Sequence, residues 1–280
     1  HTTSDVAMGL QSGARLASFG LLERPKRSFL SCEPLPAGGM LYRLAPLLLE
    51  DPSASHTDDR LREVLLQLCP RQPEGRWPLA EFPQVPHRQL LVDYLKRALS
   101  EGRHGANVLL HGEPGVGKTE LARTLADLLG AGLYAVPAQD GQQQPIEPRE
   151  RLGGYWLTQR LVMSKPRSIV LFDEVEDALA GGFFLPKAWT NQLLEDNPVP
   201  GLWISNRIEW LDPAFLRRFD LIIELKQNHH ADTTAALERR LEVLPILPEV
   251  CQRLARQSWM SPAMASQLIE LAELLPPETP

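Results

Sequence analysis

One stretch constrains this chain more than any other. Asn107-Val108-Leu109-Leu110-His111-Gly112-Glu113-Pro114-Gly115-Val116-Gly117-Lys118-Thr119 is a short apolar run that breaks into a glycine-rich loop ending in Lys-Thr. Gly112, Gly117, Lys118 and Thr119 fill the pattern G-x-x-x-x-G-K-T of a phosphate-binding loop. Glycines let the backbone curl so that successive N–H groups converge on an anion, Lys118 offers an ammonium to the outer phosphates, and Thr119 offers a hydroxyl to Mg²⁺. Val108 to Leu110 reads as a buried strand. Glu120 to Gly130 carries Leu121, Ala122, Leu125, Ala126, Leu128 and Leu129 at helical spacing, with Gly130 as the stop. Strand, loop and helix therefore come in the order that nucleotide binding requires. The expected contacts run through Gly112, Glu113, Pro114, Gly115, Val116, Gly117, Lys118, Thr119 and Glu120.

A second signal lies downstream, where Ser168-Ile169-Val170-Leu171-Phe172 reads as a buried strand ending in Asp173-Glu174. Beside a nucleotide, Asp173 can hold Mg²⁺ through a water, and Glu174 can orient or activate the water that attacks the γ-phosphate. Thr119 and Asp173 are thus the expected metal pair. Gly201 to Asn206 is a further strand with a polar end, from which Asn206 could touch both the attacking water and the γ-phosphate. Helices are expected over His87 to Ser100, with Leu90, Leu91, Tyr94, Leu95 and Leu99 on one face, and over Leu152 to Met163. Leu79 to Val85 reads as extended, and Leu133 to Val136 as the second strand. Fully apolar strands alternating with helices predict a mostly parallel sheet covered on both faces. Ligands of such sheets sit beyond the carboxyl ends of the strands, which is where both signals fall.

Composition narrows the remaining classes. A formal net charge of -6 and a pI near 5.7 argue against nucleic acid as the default partner. The three cysteines, Cys32, Cys69 and Cys251, have no metal-site or disulfide spacing and read as buried thiols of a reducing compartment. No apolar run approaches the roughly 20 residues of a membrane span, and the start lacks a secretory layout, so a cytoplasmic location is expected. The start at His1-Thr2-Thr3, without Met, leads us to expect further chain at either end. Residues 1–75 suggest helices over Asp5 to Leu10 and Ala14 to Leu22, and a strand then a helix over Met40 to Leu49 after the Gly38-Gly39 turn. That order loosely resembles a winged helix and equally suits a small helical docking region. Leu61, Val64, Leu65 and Leu68 fall at helical spacing, and Pro70 to Gly75 then breaks the chain, so the first boundary is set there.

Gly112 to Thr119, Phe172-Asp173-Glu174, Ile204-Ser205-Asn206 and Asp212-Pro213-Ala214-Phe215-Leu216-Arg217-Arg218-Phe219-Asp220, in this order, resemble the Walker A, Walker B, sensor 1 and arginine-finger elements of the AAA+ ATPases. The resemblance covers about residues 80–275. It implies an α/β, three-layer αβα P-loop NTPase unit with a parallel sheet (residues 76–228), followed by a small α-helical lid (229–280); residues 1–75, ahead of the resemblance, read on their own pattern as a small, mainly helical N-terminal region. The resemblance also implies ATP or ADP with Mg²⁺ between unit and lid, and a ring, most often a hexamer, in which an arginine reaches the neighbour's γ-phosphate. Arg218 is the first choice for that finger and Arg217 the second.

The lid helices are expected over Asp232 to Leu244, Pro248 to Arg256 and Pro262 to Leu275, with Leu237, Leu241, Leu244, Leu268, Ile269, Leu271 and Leu275 on their apolar faces. Two departures from the family stand out. Ser261-Pro262-Ala263-Met264-Ala265-Ser266 offers no sensor 2 arginine, and Asp140 to Arg149 lacks the aromatic pore loop of peptide-threading relatives. Gly153-Gly154-Tyr155-Trp156, nearby, reads as the opening of the next helix. The leading expectation is an ATPase that remodels an unidentified protein partner as a homo-oligomeric ring, with no membrane and no nucleic acid. A slow regulatory ATP switch and a DNA-acting motor or loader are the alternatives.

Overall fold

The computed structural model describes residues 69–139, 143–179, 187–226, 231–244, 246–257 and 259–274. The elements expected within residues 1–68 lie outside these, as do residues 140–142 of the glutamine-rich loop. Five strands form one parallel sheet: β1 (Asn107–His111), β2 (Gly132–Ala135), β3 (Ser168–Phe172), β4 (Gly201–Ser205) and β5 (Leu221–Glu224). Their spatial order is β2-β3-β4-β1-β5. After β1 the chain therefore crosses to the far edge, works back through β3 and β4, and passes β1 to finish at β5.

Every central strand is buried on both faces, and alternate residues divide between two cores. Val108, Leu110, Ile169, Leu171, Leu202 and Ile204 face one side, against α1 (Arg88–Glu101) and α2 (Lys118–Leu128). Leu109, Val170, Phe172 and Trp203 face the other, against α3 (Pro148–Val162), α4 (Val175–Leu179) and α5 (Lys187–Glu195). The second core is aromatic at its centre. Trp203 stacks on Phe172 at 5.1 Å and lies 4.3 Å from Tyr155, while its indole N–H donates to Asn107 Oδ1 at 2.9 Å. Asn107 is fully buried at the start of β1, and its amide donates in turn to the carbonyl of Leu194 at 2.6 Å. A buried amide is tolerated here because its donors and its acceptor are all satisfied.

Beyond β5, helices α7 (Ala231–Leu241), α8 (Pro248–Ala255) and α9 (Pro262–Leu274) pack around Leu237, Leu241, Cys251, Ala255, Met260 and Ala265; the short helix α6 (Pro213–Leu216), capped by Asp212, precedes β5. This small bundle rests largely on the segment that leads into α1. Trp77 Nε1 donates to Ser266 Oγ at 3.4 Å, Arg239 donates to Glu81 Oε1 at 2.7 Å, and Arg240 donates to the Glu81 carbonyl at 2.7 Å. Upstream, the same segment pairs with the sheet edge through Gln72 N–H to the Leu133 carbonyl, then crosses α2, where the Gly75 N–H meets Asp127. A Cβ on Gly75 would come within 2.7 Å of the Thr124 backbone nitrogen, so the crossing needs glycine.

Several expectations change in detail. Leu79–Glu81 is a single 3-10 turn rather than extended chain, because it must bring Phe82 and Val85 into the core. The helix after the glutamine-rich loop starts at Pro148, whose fixed φ suits a first helical position, so Gly153 to Trp156 lies inside α3 and does not open it. Tyr155 is accordingly fully buried. In α1 the inward face is Leu91, Val92, Leu95 and Ala98, and Leu90 is exposed. In α9 it is Pro262, Ala265 and Ile269, leaving Leu271 on the far side of the helix.

The junction of β1 with the glycine-rich loop is held tightly. Gly112 has φ +146°, and a Cβ there would sit 2.1 Å from the Leu225 carbonyl oxygen, since Leu225 N–H bonds the His111 carbonyl at 2.7 Å. The first loop glycine thus answers to the packing of β5. Gly112→Ala is expected to lower stability by about 2 kcal/mol or more, read from the denaturant midpoint; an unchanged midpoint contradicts the close approach. Next to it, burial holds the half-buried His111 imidazole below its ordinary value of 6.5, with Glu224 opposing. The unfolded chain then takes up the proton first as pH falls. The stability tied to His111 is whole above about pH 6.5 and drains below it. His111→Gln should flatten the fall of the unfolding midpoint between roughly pH 7.5 and 5.5 relative to the parent; parallel curves count against this assignment.

Candidate functional site

The strand order brings the carboxyl ends of β1, β4 and β3 side by side, and with them the glycine-rich loop, Asn206 and the Asp173-Glu174 pair. From β1 the chain turns through Gly115 and Gly117, both at positive φ, into α2. The first N–H groups of α2 have no partner within the helix and form an anion-binding end. Lys118 is nearly buried, and its ammonium donates to the carbonyls of Gly112 at 2.7 Å and Glu113 at 2.8 Å. Burial lowers its proton affinity, and Asp173 and Glu176 raise it.

Thr119 Oγ1 donates to Asp173 Oδ2 at 2.8 Å, so the hydroxyl and the carboxylate expected to share a metal already meet. The other Asp173 oxygen accepts the Glu174 N–H at 2.9 Å. Glu174 takes φ +53°, a left-handed conformation that a non-glycine residue enters at a cost. Its carboxyl is held above the ordinary range by burial and then by Asp173 and Asp177, with Arg151 opposing. Asn206 is tied in through its backbone N–H, which donates to Glu176 Oε1 at 2.9 Å.

These side chains open onto a cleft of about 670 Å³. Lys118, Thr119, Glu120, Asp173, Glu174 and Asn206 form its floor, together with Pro114, Gly115 and Gly117. Its roof is the start of α9, where the Ala263 N–H donates to the Gly115 carbonyl at 3.2 Å. Gly112 and Glu113 border an adjoining hollow that shares Asn206. Val116 differs from its neighbours. Its side chain is buried in the first core, and only its backbone is turned toward Gln84. Arg217 and Arg218 lie outside the cleft's lining, both exposed, and Arg218 is ion-paired with Glu195 of its own chain.

The donor set suits a nucleotide with a hard divalent cation: a glycine curl, a helix N-terminus, a lysine, and a hydroxyl beside a carboxylate. Three contributors were not anticipated from the sequence. Arg151 is almost fully buried at the start of α3 and donates to the carbonyls of Asp173 and Glu174. Glu176 is buried behind Lys118 and Asn206. Arg240 lies at the edge of the cleft, its guanidinium 5.0 Å over the Trp77 ring and 5.1 Å over that of Phe82; burial pushes it down to about 10. The available signal was a charged residue at a position whose helical period faces inward: Arg151 beside Leu152 and Tyr155, and Arg240 beside Leu237 and Leu241.

Comparison with known proteins agrees with this architecture. Residues 108–227 match the family model described as ATPase family associated with various cellular activities (AAA). The chain is 29% identical over 185 residues to ATP-dependent zinc metalloprotease FtsH 1 of Alkaliphilus metalliredigens (strain QYMF), covering 58% of this chain and 31% of that protein. It is 27% identical over 200 residues to Holliday junction branch migration complex subunit RuvB of Prochlorococcus marinus (strain MIT 9313), covering 65% of this chain and 54% of the relative. The chain thus spans about a third to a half of the length of these two relatives. Among solved structures, the FIGL-1 AAA domain in complex with ADP shares the fold, with a TM-score of 0.53 at 17% identity over 78% of this chain and 80% of that one. The family match runs from within β1 to just past β5, so residues 108–227, the part of the chain that carries the sheet and its glycine-rich loop, are an AAA-type ATPase region.

Proposed function

We propose that this chain binds ATP in the cleft between the three-layer unit and the helical bundle, hydrolyses it, and uses the cycle to remodel a protein partner as part of a homo-oligomeric ring. The observation that carries the reading is the convergence of Lys118, Thr119, Asp173, Glu174 and Asn206 on one cleft roofed by α9. In this reading the loop N–H groups and Lys118 bind the phosphates. Lys118 exchanges two loop carbonyls for phosphate oxygens. Thr119 and Asp173 hold Mg²⁺, which when bound neutralises phosphate charge. Glu174 takes the proton of the attacking water, and Asn206 orients that water against the γ-phosphate.

Arg218 is assigned the finger supplied to the neighbouring subunit. Its present partner, Glu195, is half-exposed, as Arg218 is, and exposed pairs of this kind contribute only about 0–1 kcal/mol, so exchange for a phosphate is cheap. Arg217 is the alternative. Similarity to RuvB, whose name places it in a Holliday junction complex, favours a DNA-acting motor as the second reading. The net charge of -6 weighs against it. Salt-dependent DNA binding that stimulates turnover would reverse that order.

Lys118→Ala is expected to weaken ATP affinity by tenfold or more, about 1.4 kcal/mol, with the apo unfolding midpoint little changed. Unchanged affinity removes the phosphate-loop assignment. Glu174→Gln should keep ATP binding while turnover falls roughly 10²–10⁴-fold; parent-rate turnover would leave the residue without a catalytic part.

Ring action is tested by mixing. Arg218→Ala and Lys118→Ala subunits, each inactive alone, should regain activity together, because some interfaces then pair an intact loop with an intact finger. Co-assembly without recovery sends the assignment to Arg217 or to action within one subunit. Turnover per subunit should also rise with protein concentration as rings form, whereas a slow switch would hold a constant low rate.

A further inference from the structure

We propose that Arg151 is a positioning residue for hydrolysis, gripping the Asp173-Glu174 turn from behind so that Glu174 points into the cleft. The inference rests on the reading of Glu174 given above.

In an extended strand successive carbonyls point to opposite edges. Here the carbonyls of Asp173 and Glu174 both accept from one guanidinium, Nη2 to Asp173 at 2.6 Å and Nη1 to Glu174 at 3.4 Å. The chain reaches that arrangement by taking φ +53° at Glu174, two residues past the end of β3 at Phe172. Without compensation a non-glycine residue leaves such a conformation, since it costs about 1–3 kcal/mol. The Arg151 hydrogen bonds supply a reason for it to stay.

Arg151 is itself an unusual group to find there. It is 4% exposed, its Nε has no hydrogen-bond partner among the described residues, and its guanidinium lies over the Phe172 ring at 4.6 Å. A buried guanidinium is costly unless charge and hydrogen bonds offset it. The offset comes from Asp173, Glu174, Glu176 and Asp177, four carboxylates clustered at the start of α4. The same cation therefore does two things. It relieves repulsion among acids that must sit together beside a nucleotide, and it fixes the backbone from which the outermost acid projects. It does not line the cleft, so nucleotide affinity should be nearly insensitive to it.

The test is a kinetic cycle on the full chain. Arg151→Met removes the charge and both hydrogen bonds at similar length, and Arg151→Lys keeps the charge but gives up the planar two-armed grip. For Arg151→Met, kcat should fall about ten- to a hundredfold with KM and directly measured ATP affinity within about twofold of the parent. Arg151→Lys should recover part of kcat. Because Arg151 acts through Glu174, adding Arg151→Met to Glu174→Gln should cost no further rate. Equal fractional losses in both backgrounds overturn the proposal, as does parent-like kcat in a folded Arg151→Met or a loss of ATP affinity that matches the loss of rate. If Arg151→Met fails to fold, Arg151→Lys carries the same comparison, and parent-like kcat in that variant overturns it. Failure of the underlying reading is recognised separately: Glu174→Gln alone then turns over at the parent rate.

Discussion

The arrangement depends on where β1 sits. It is hydrogen-bonded to β4 on one edge and β5 on the other, and its Val108, Leu109 and Leu110 are wholly buried. A strand enclosed on four sides cannot shift register without exposing one core or the other, since a one-residue slip exchanges its faces. The glycine-rich loop grows from this fixed point. Because the chain leaves β1 for the far edge and returns through β3 and β4, the acids at the end of β3 lie one strand away from the loop, with Asn206 on the strand between. A ligand-binding crevice where strand order reverses is the usual outcome of such winding.

The helical bundle is joined to this frame by few contacts, and most of them converge on residues 76–82. Arg76 pairs with Glu270 and Glu273, Trp77 with Ser266, and Glu81 with Arg239 and Arg240. The exposed pairs among these are worth little individually. Arg240 is different, since it is buried between two aromatic rings and has no water in which to recover its hydration. The segment reaches the cleft as well: Phe82 packs by Gly117, and Gln84 donates to the Val116 carbonyl at 3.3 Å. Residues 76–84 thus touch both the bundle and the glycine-rich loop.

Three buried charges surround the cleft, Arg240 at its edge and Arg151 and Glu176 behind its lining. Each breaks the expectation that an inward helical position is apolar, and each bonds backbone atoms of another element. Charges of this kind add little to stability, because desolvation opposes what they gain. What they provide is geometry, by holding the acidic turn, the end of β4 and the entry to α1 in fixed relation to the glycine-rich loop.

Much of this molecule is local information and so was legible in the chain. The apolar runs of β1, β3 and β4, the helical spacing of α2, α7 and α8, the stop at Gly130 and the pairing of Lys118 with Thr119 all follow from periodicity, glycine backbone freedom and the chemistry of a loop that must hold an anion. Even the parallel sheet follows, because strands that are apolar throughout need cover on both faces. Tertiary structure alone decided which strand neighbours which, that Leu90 and Leu271 face outward while Tyr155 is enclosed, and that Arg218 meets Glu195. It alone brought Arg151, 22 residues before Asp173 in the chain but behind the acids in space, into contact with two carbonyls. The reason is physical: a helix or turn is selected by energies among residues a few positions apart, whereas the partner of a buried guanidinium is selected by whichever distant backbone the folded topology leaves unsatisfied beside it.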